Sequence, residues 1–317
     1  MRSKSEAISF INQLGKDKKR FSFYCDFLGE KWVIQENTDQ PSFYLDIQDS
    51  SPSLPAGKIE FERYPISLEG YQSSFEKVVH QINVGNSFLT NLTFPTRIET
   101  NLGLDEVFRL SKARYKLLVP HQFVVFSPET FVQIRNGRIY SHPMKGTIDA
   151  RLPDAKAVIL NDEKETAEHV TIVDLIRNDL SQVATNIQVT QFRYVDEIQT
   201  NKKTLLQVSS EIQGELPNGW NEHLGSILRK LLPAGSISGA PKPQTLQIIR
   251  SVEKYDRNFY TGICGRFDGE SLDTGVMIRF VQKKGNDFYY YSGGGITSFS
   301  KLEKEYSEMV DKVYLPI

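Results

Sequence analysis

The chain has 317 residues, 39% hydrophobic and 24% charged, with a formal net charge of -1. It is long enough for one large core or two modest ones, and near-neutral charge without a basic stripe excludes a nucleic-acid binder driven by phosphate neutralisation. No run reaches the apolar length needed to span a bilayer, the N-terminus has no signal-like apolar core, and two cysteines, Cys25 and Cys264, are too few for a disulfide framework or a four-thiolate zinc site. Neither nucleic acid nor membrane is an expected partner, and a cytoplasmic setting is the simplest reading.

A helix followed by short strands at 21–24, 32–35 and 42–47 is expected to open the chain. Residues 49–57, dense in serine and proline, read as a linker. It divides a small N-terminal part, 1–60, packed on the same core, from a larger part, 61–317. Next come a helix at 71–84, a strand at 87–94 and a helix at 104–118. Two strands, 130–135 and 138–141, flank Asn136-Gly137, the dipeptide that supplies positive φ to a two-residue hairpin turn. A long helix is expected over 162–183, a strand at 187–194, and helices on either side of 233–241. Strands at 259–267, 275–282 and 288–292 and a helix over 301–314 close the chain. Strands joined by tight turns, with helices grouped between them, imply mainly antiparallel sheets in an α+β protein.

Chemistry concentrates in four places. Counting outward from the hairpin turn sets Glu129 opposite Met144, so a carboxyl and the amine of Lys145 arrive near the open end of one hairpin. Pro143 cannot donate to a ladder and ends the strand, which leaves the face of Lys145 open. A solvated surface pair is the plain alternative. On the long helix, Ile172, Val173, Ile176, Leu180 and Val183 define a buried stripe, and Glu165 and Glu168 extend it. The last helix carries Glu305 and Glu308 beside Leu302, Tyr306, Met309, Val310 and Val313, with Lys312 one turn on. Carboxylates on a core-facing stripe need a cation or a dense set of donors. Hard oxygen ligands without histidine or thiolate suit Mg²⁺, whereas local ion pairs on helix surfaces are the competing reading. Finally, 233–242 and 291–295 are rich in glycine and small residues that let a ligand approach backbone, although neither is a nucleotide fingerprint.

These residues resemble one family, the chorismate-utilising enzymes, which include anthranilate synthase component I, aminodeoxychorismate synthase component I, isochorismate synthase and salicylate synthase. The likeness runs from about residue 71 to 313. It rests on Glu168-His169-Val170-Thr171-Ile172-Val173-Asp174-Leu175-Ile176-Arg177-Asn178-Asp179-Leu180, on the segment 234–242, and on Tyr260-Thr261-Gly262-Ile263-Cys264-Gly265. The resemblance implies two packed, mainly antiparallel sheets sheathed by helices, with 61–317 as the chorismate-binding catalytic domain. It implies that Glu168 and Glu308 bind Mg²⁺, with Glu165 and Glu305 holding the ion's waters. Arg279 and Tyr260 match residues that hold the enolpyruvyl carboxylate, and Gly293 and Gly295 offer backbone contacts. Thr147, Ser236 and Lys312 complete the implied substrate contacts, and Glu129 matches the acid that protonates the departing C4 hydroxyl.

Lys145 looks like the lysine that distinguishes aminodeoxychorismate synthases, where anthranilate synthases usually have alanine. Isochorismate and salicylate synthases use a lysine to activate water at the place held here by Leu89. The resemblance therefore implies an Mg²⁺-dependent transferase that makes 4-amino-4-deoxychorismate for 4-aminobenzoate and folate biosynthesis through a covalent lysine adduct. A separate glutamine amidotransferase subunit would supply ammonia. The alternatives are an anthranilate synthase component I and a catalytically silent chorismate-binding homologue. Two departures stand out: Gln207 replaces the family's usual histidine, and the N-terminal part is short, so a tryptophan-binding regulatory pocket is not carried over.

Overall fold

The computed structural model describes residues 1–47, 57–199 and 204–317. The linker expected at 49–57 lies outside the described residues except for Gly57. The chain forms two compact units, each built on one sheet. This is the α+β class expected from the sequence, with two antiparallel sheets that each carry helices. No helix among the described residues is long and apolar enough to cross a membrane.

The first unit takes Met1–Asn37, Glu129–Ser236 and Ile263–Gly275. Its ten-stranded sheet runs Arg2–Ser3, Lys31–Glu36, Phe21–Cys25, Ile263–Phe267, Leu272–Val276, Thr130–Arg135, Arg138–Ser141, Thr204–Glu215 and Met144–Asp149, with Thr185–Gln199 also pairing along Thr204–Glu215. The hairpin forms as its turn chemistry dictates. Arg135 pairs with Arg138, and Asn136 and Gly137 take φ of 53° and 71°. Cys25 and Cys264 are free and buried in neighbouring strands. The helix Glu163–Ser181 begins where expected, because the Asp162 side chain accepts the Glu165 amide at 2.9 Å and so satisfies an orphan donor.

The second unit takes Thr38–Pro128, Ile237–Gly262 and Val276–Ile317. Its eight-stranded sheet runs Gly239–Ala240, Leu89–Thr100, Asp287–Ile296, Phe280–Lys284, Phe123–Ser127, Tyr115–Val119 and Tyr44–Ile47, with Phe61–Tyr64 on Leu89–Thr100. One face is filled by Tyr71, Phe75 and Val78 of the helix Leu68–Asn83, Ile248 and Val252 of Lys242–Val252, and Met309 of Leu302–Asp311, packed on Leu92, Phe94 and Ile296. Stripes at helical spacing on all three helices supply that contact.

Three sequence expectations fail here for identifiable reasons. The helix expected over 104–118 stops at Leu110; Ser111 turns extended, and Tyr115–Val119 is a strand buried at all five positions. A strand apolar on both faces has no alternation to distinguish it from a buried helix. The strand expected over 275–282 is two strands, Leu272–Val276 and Phe280–Lys284, separated where Arg279 takes a φ of 52°. The strand expected from 259 begins only at Ile263, because Thr261 sits at a φ of 62°.

Candidate active site

In the first unit, the strand Met144–Asp149 does not continue the hairpin. Met144 pairs with Ser209 and Thr147 with Gln207, so Lys145 and Gly146 together face the single residue Val208. This is a β-bulge, which bends a strand and re-aims the side chain beside it. Gly146 takes a φ of 81°, and a Cβ there would stand 3.2 Å from a Glu165 carboxylate oxygen. The positive φ favours glycine here, and the Glu165 carboxylate would have to shift slightly to admit a Cβ.

Lys145 is ion-paired with Glu168, whose side chain is 5% exposed. The stripe predicted on this helix is observed: Glu168, Ile172, Val173, Ile176 and Leu180 are buried, and Glu165 and Val183 are half-buried. Glu129 and Lys145 thus have separate partners, since the Ser236 hydroxyl donates to the Glu129 carboxylate. Glu129 and Ser236 line a pocket with Ser141, His142 and Asp179. Thr147 is exposed on its strand, directly across from Gln207.

His169, next to Glu168, is 1% exposed, and its Nε2 lies 2.7 Å from the Ser210 hydroxyl. Burial first, then the positive charges of Arg193 and Lys145, push its pKa down to about 4. The imidazole is therefore neutral at physiological pH.

In the second unit, Glu305 is 4% exposed on the helix Leu302–Asp311. Glu308 accepts from the Lys312 ammonium at 2.6 Å, and Lys312 also donates to the Gly293 carbonyl at 2.9 Å. The three side chains converge on Gly294, where a Cβ would lie 3.5 Å from Glu308, 3.7 Å from Glu305 and 3.8 Å from the Lys312 nitrogen. The Tyr71 hydroxyl is buried without a hydrogen-bond partner among the described residues, and burial, then Glu305 and Glu308, raise its pKa. Carboxylate oxygens, a buried orphan hydroxyl and a missing side chain at their focus make a donor set that suits a hard divalent cation. Among the described residues no three His, Cys, Asp or Glu side chains form a ready-made cage.

Tyr260 is buried, with its ring 5.1 Å from that of Tyr291 and 5.9 Å from that of Phe280. Arg279 is half-buried, its guanidinium carbon 5.3 Å from the Tyr314 ring, and its Nε is enclosed with no hydrogen-bond partner among the described residues. Tyr260 adjoins one left-handed residue and Arg279 is itself another, the kind of backbone strain that concentrates at ligand-binding positions. Gly293 and Gly295 lie in the strand Asp287–Ile296, opposite Thr93 and Asn91.

A family model described as chorismate binding enzyme matches residues 21–316. The chain belongs to this family. It is 49% identical over 315 residues to an uncharacterized PabA-like protein of Haemophilus influenzae, covering 98% of this chain and 96% of that one. It is 33% identical over 262 residues to aminodeoxychorismate synthase component 1 of Salmonella typhimurium, covering 77% of this chain and 56% of that one. The crystal structure of anthranilate synthase component I from Streptococcus pneumoniae is similar at a TM-score of 0.69 and 26% identity, covering 82% of this chain and 60% of that one. The chain thus spans a little over half the length of these two synthase relatives.

Several residues of this chorismate-binding chain escaped sequence reasoning. Gly146 had a visible signal, a glycine directly after the singled-out lysine. Gly294 had one too, as the middle of a three-glycine run. His169 and the pairing of Ser236 with Glu129 had none, because they depend on long-range packing.

Proposed function

We propose that this chain is the chorismate-aminating component of an aminodeoxychorismate synthase. The observation that carries the reading is Lys145, set on a bulge and paired with a buried glutamate where a free surface amine would be solvated. Arg279, with its enclosed donor, and Tyr260 would take the enolpyruvyl carboxylate, and the backbone at Gly293 and Gly295 and the side chains of Thr147 and Lys312 would complete the contacts. Mg²⁺ at Glu168 and Glu308, with waters held by Glu165 and Glu305, would supply positive charge for the ring carboxylate.

The Lys145 amine, once neutral, attacks C2; the ring double bonds shift and the C4–O bond breaks. Glu129, oriented by Ser236, gives its proton to the departing hydroxyl, which leaves as water. Ammonia then bonds to C4 and the double bonds shift back, expelling the lysine from C2 as a neutral amine, and the new C4 ammonium returns its surplus proton to the Glu129 carboxylate. The expelled amine regains from solvent the proton it lost before attack and can return to the pair with Glu168. The enolpyruvyl group stays attached throughout. Leu89 is buried and carries no base, which supports ammonia over activated water.

Cys25 and Cys264 are both buried with thiol pKa values pushed up chiefly by burial, a setting unsuited to a glutaminase nucleophile. That supports a separate amidotransferase as the source of ammonia. Incubation with chorismate, Mg²⁺ and ammonium, followed by chromatography with mass detection, tests the reading. The expected product is 4-amino-4-deoxychorismate. Anthranilate with stoichiometric pyruvate would overturn the assignment, isochorismate or salicylate would overturn the argument from Leu89, and no turnover would point to a silent homologue.

A further inference from the structure

The second unit contains an ion pair that the proposed chemistry does not use. Arg257 and Glu253 have side chains only 2% and 1% exposed. Arg257 grips both carboxylate oxygens, Nε to Oε2 at 2.8 Å and Nη2 to Oε1 at 2.7 Å. Its remaining donors reach three other segments: the Asn91 carbonyl at 2.7 Å, the Ile237 carbonyl at 2.9 Å and the Thr261 hydroxyl at 3.5 Å. Glu253 in turn accepts from Thr93, from its amide at 3.0 Å and its hydroxyl at 2.7 Å.

The gripped positions are not arbitrary. Asn91 and Thr93 are the cross-strand partners of Gly295 and Gly293, Thr261 follows Tyr260, and Ile237 follows Ser236. A buried pair is weak evidence for stability, because desolvation offsets most of its attraction. Its planar, bidentate geometry instead fixes distances among the groups it holds.

We propose that the Glu253–Arg257 pair is a positioning device for the substrate carboxylate, holding the backbone at Gly293 and Gly295 and the Tyr260 turn at fixed separations. This rests on the reading of chorismate as ligand. Arg257 and Glu253 touch no substrate themselves, so their effect falls on binding geometry. Lysine at 257 supplies a point charge that cannot span the three segments.

The test compares the wild-type chain with Arg257→Lys and with Thr93→Val, an isosteric change that removes one grip on Glu253. Chorismate binding is measured by calorimetry in Mg²⁺, and turnover and thermal midpoint are recorded alongside. The expected result is a chorismate KM raised about tenfold with kcat within about threefold and the ammonium KM unchanged. A merely structural pair would lower the midpoint and the active fraction while leaving KM in place, and that outcome would overturn the inference. If Arg257→Lys does not fold, Thr93→Val decides alone by the same split. Failure of the wild-type chain to bind chorismate would overturn the functional reading as well, whereas wild-type binding matched by both variants would overturn only the positioning role.

Discussion

The Lys145 ammonium is paired with the Glu168 carboxylate, the same glutamate proposed to hold the divalent cation. On that proposal one buried carboxylate would serve two cations in turn. An ammonium in such a pair has no lone pair with which to attack. A second positive charge at Glu168 would free Lys145 from the pair, since an unpaired buried carboxylate is costly. The proposed metal binding and nucleophile activation would then be coupled through this one side chain.

The first prediction follows from that coupling. Incubating the chain with chorismate and Mg²⁺ in the absence of ammonia should leave a covalent adduct on Lys145, visible in the intact mass, and omitting Mg²⁺ should abolish it. Lys145→Ala should show no adduct and lose at least ~100-fold in rate at limiting ammonium. A variant that keeps the wild-type rate would refute the nucleophilic role.

Glu168→Gln and Glu308→Gln each remove one anionic oxygen donor without changing side-chain volume. Both should fold, since Glu308 is half-exposed and Glu168 retains an amide near Lys145. Each should weaken Mg²⁺ binding in a calorimetric titration and lower turnover by ~100-fold or more. Full turnover of the wild-type chain in excess chelator would contradict the metal assignment.

What the sequence reveals is what local chemistry decides. The hairpin around Asn136-Gly137 is legible because two-residue turns need positive φ and the flanking strands alternate. The helix Glu163–Ser181 is legible because its stripe has helical spacing and Asp162 caps it. The Lys145 bulge is not, because it exists only when Met144–Asp149 pairs with Thr204–Glu215, some sixty residues away in sequence. Tyr115–Val119 misleads because burial on both faces erases alternation. Glu168 and Glu305 are buried as their helix positions suggested, whereas Glu165 is half-buried and Glu308 exposed. That Lys145 pairs with Glu168 and Lys312 with Glu308 required the fold.

His169 makes stability depend on acidity. Its pKa is about 4 in the folded chain against an ordinary value near 6.5, so between those values the unfolded state binds more protons. Stability from this group is therefore complete above about pH 6.5 and is lost as pH falls toward 4. The ceiling is roughly 3 kcal/mol at about 1.4 kcal/mol per unit. Carboxylates titrate in the same window, so the measurement is the difference between wild type and His169→Gln in urea unfolding across that range. The gap should close as pH falls. Parallel curves would show that His169 is not the group responsible.

The last prediction concerns how Lys145 is aimed. Gly146 provides the left-handed residue of the bulge, and an added Cβ would stand tightly against a Glu165 carboxylate oxygen at 3.2 Å while meeting Ile159 at ordinary contact distance. Gly146→Ala should therefore destabilise the fold by about 1–3 kcal/mol, the range for a non-glycine residue forced into that conformation, read as a lower thermal midpoint. The functional effect should exceed the structural one. If the bulge straightens to relieve the strain, the side chain at 145 moves off the Glu168 side, and adduct formation should fall even at temperatures where the variant is fully folded. Mass measurement of the adduct and the unfolding curve, taken on one sample well below its midpoint, separate the two effects. A folded Gly146→Ala variant that forms adduct at the wild-type rate would show that the bulge does not aim the lysine.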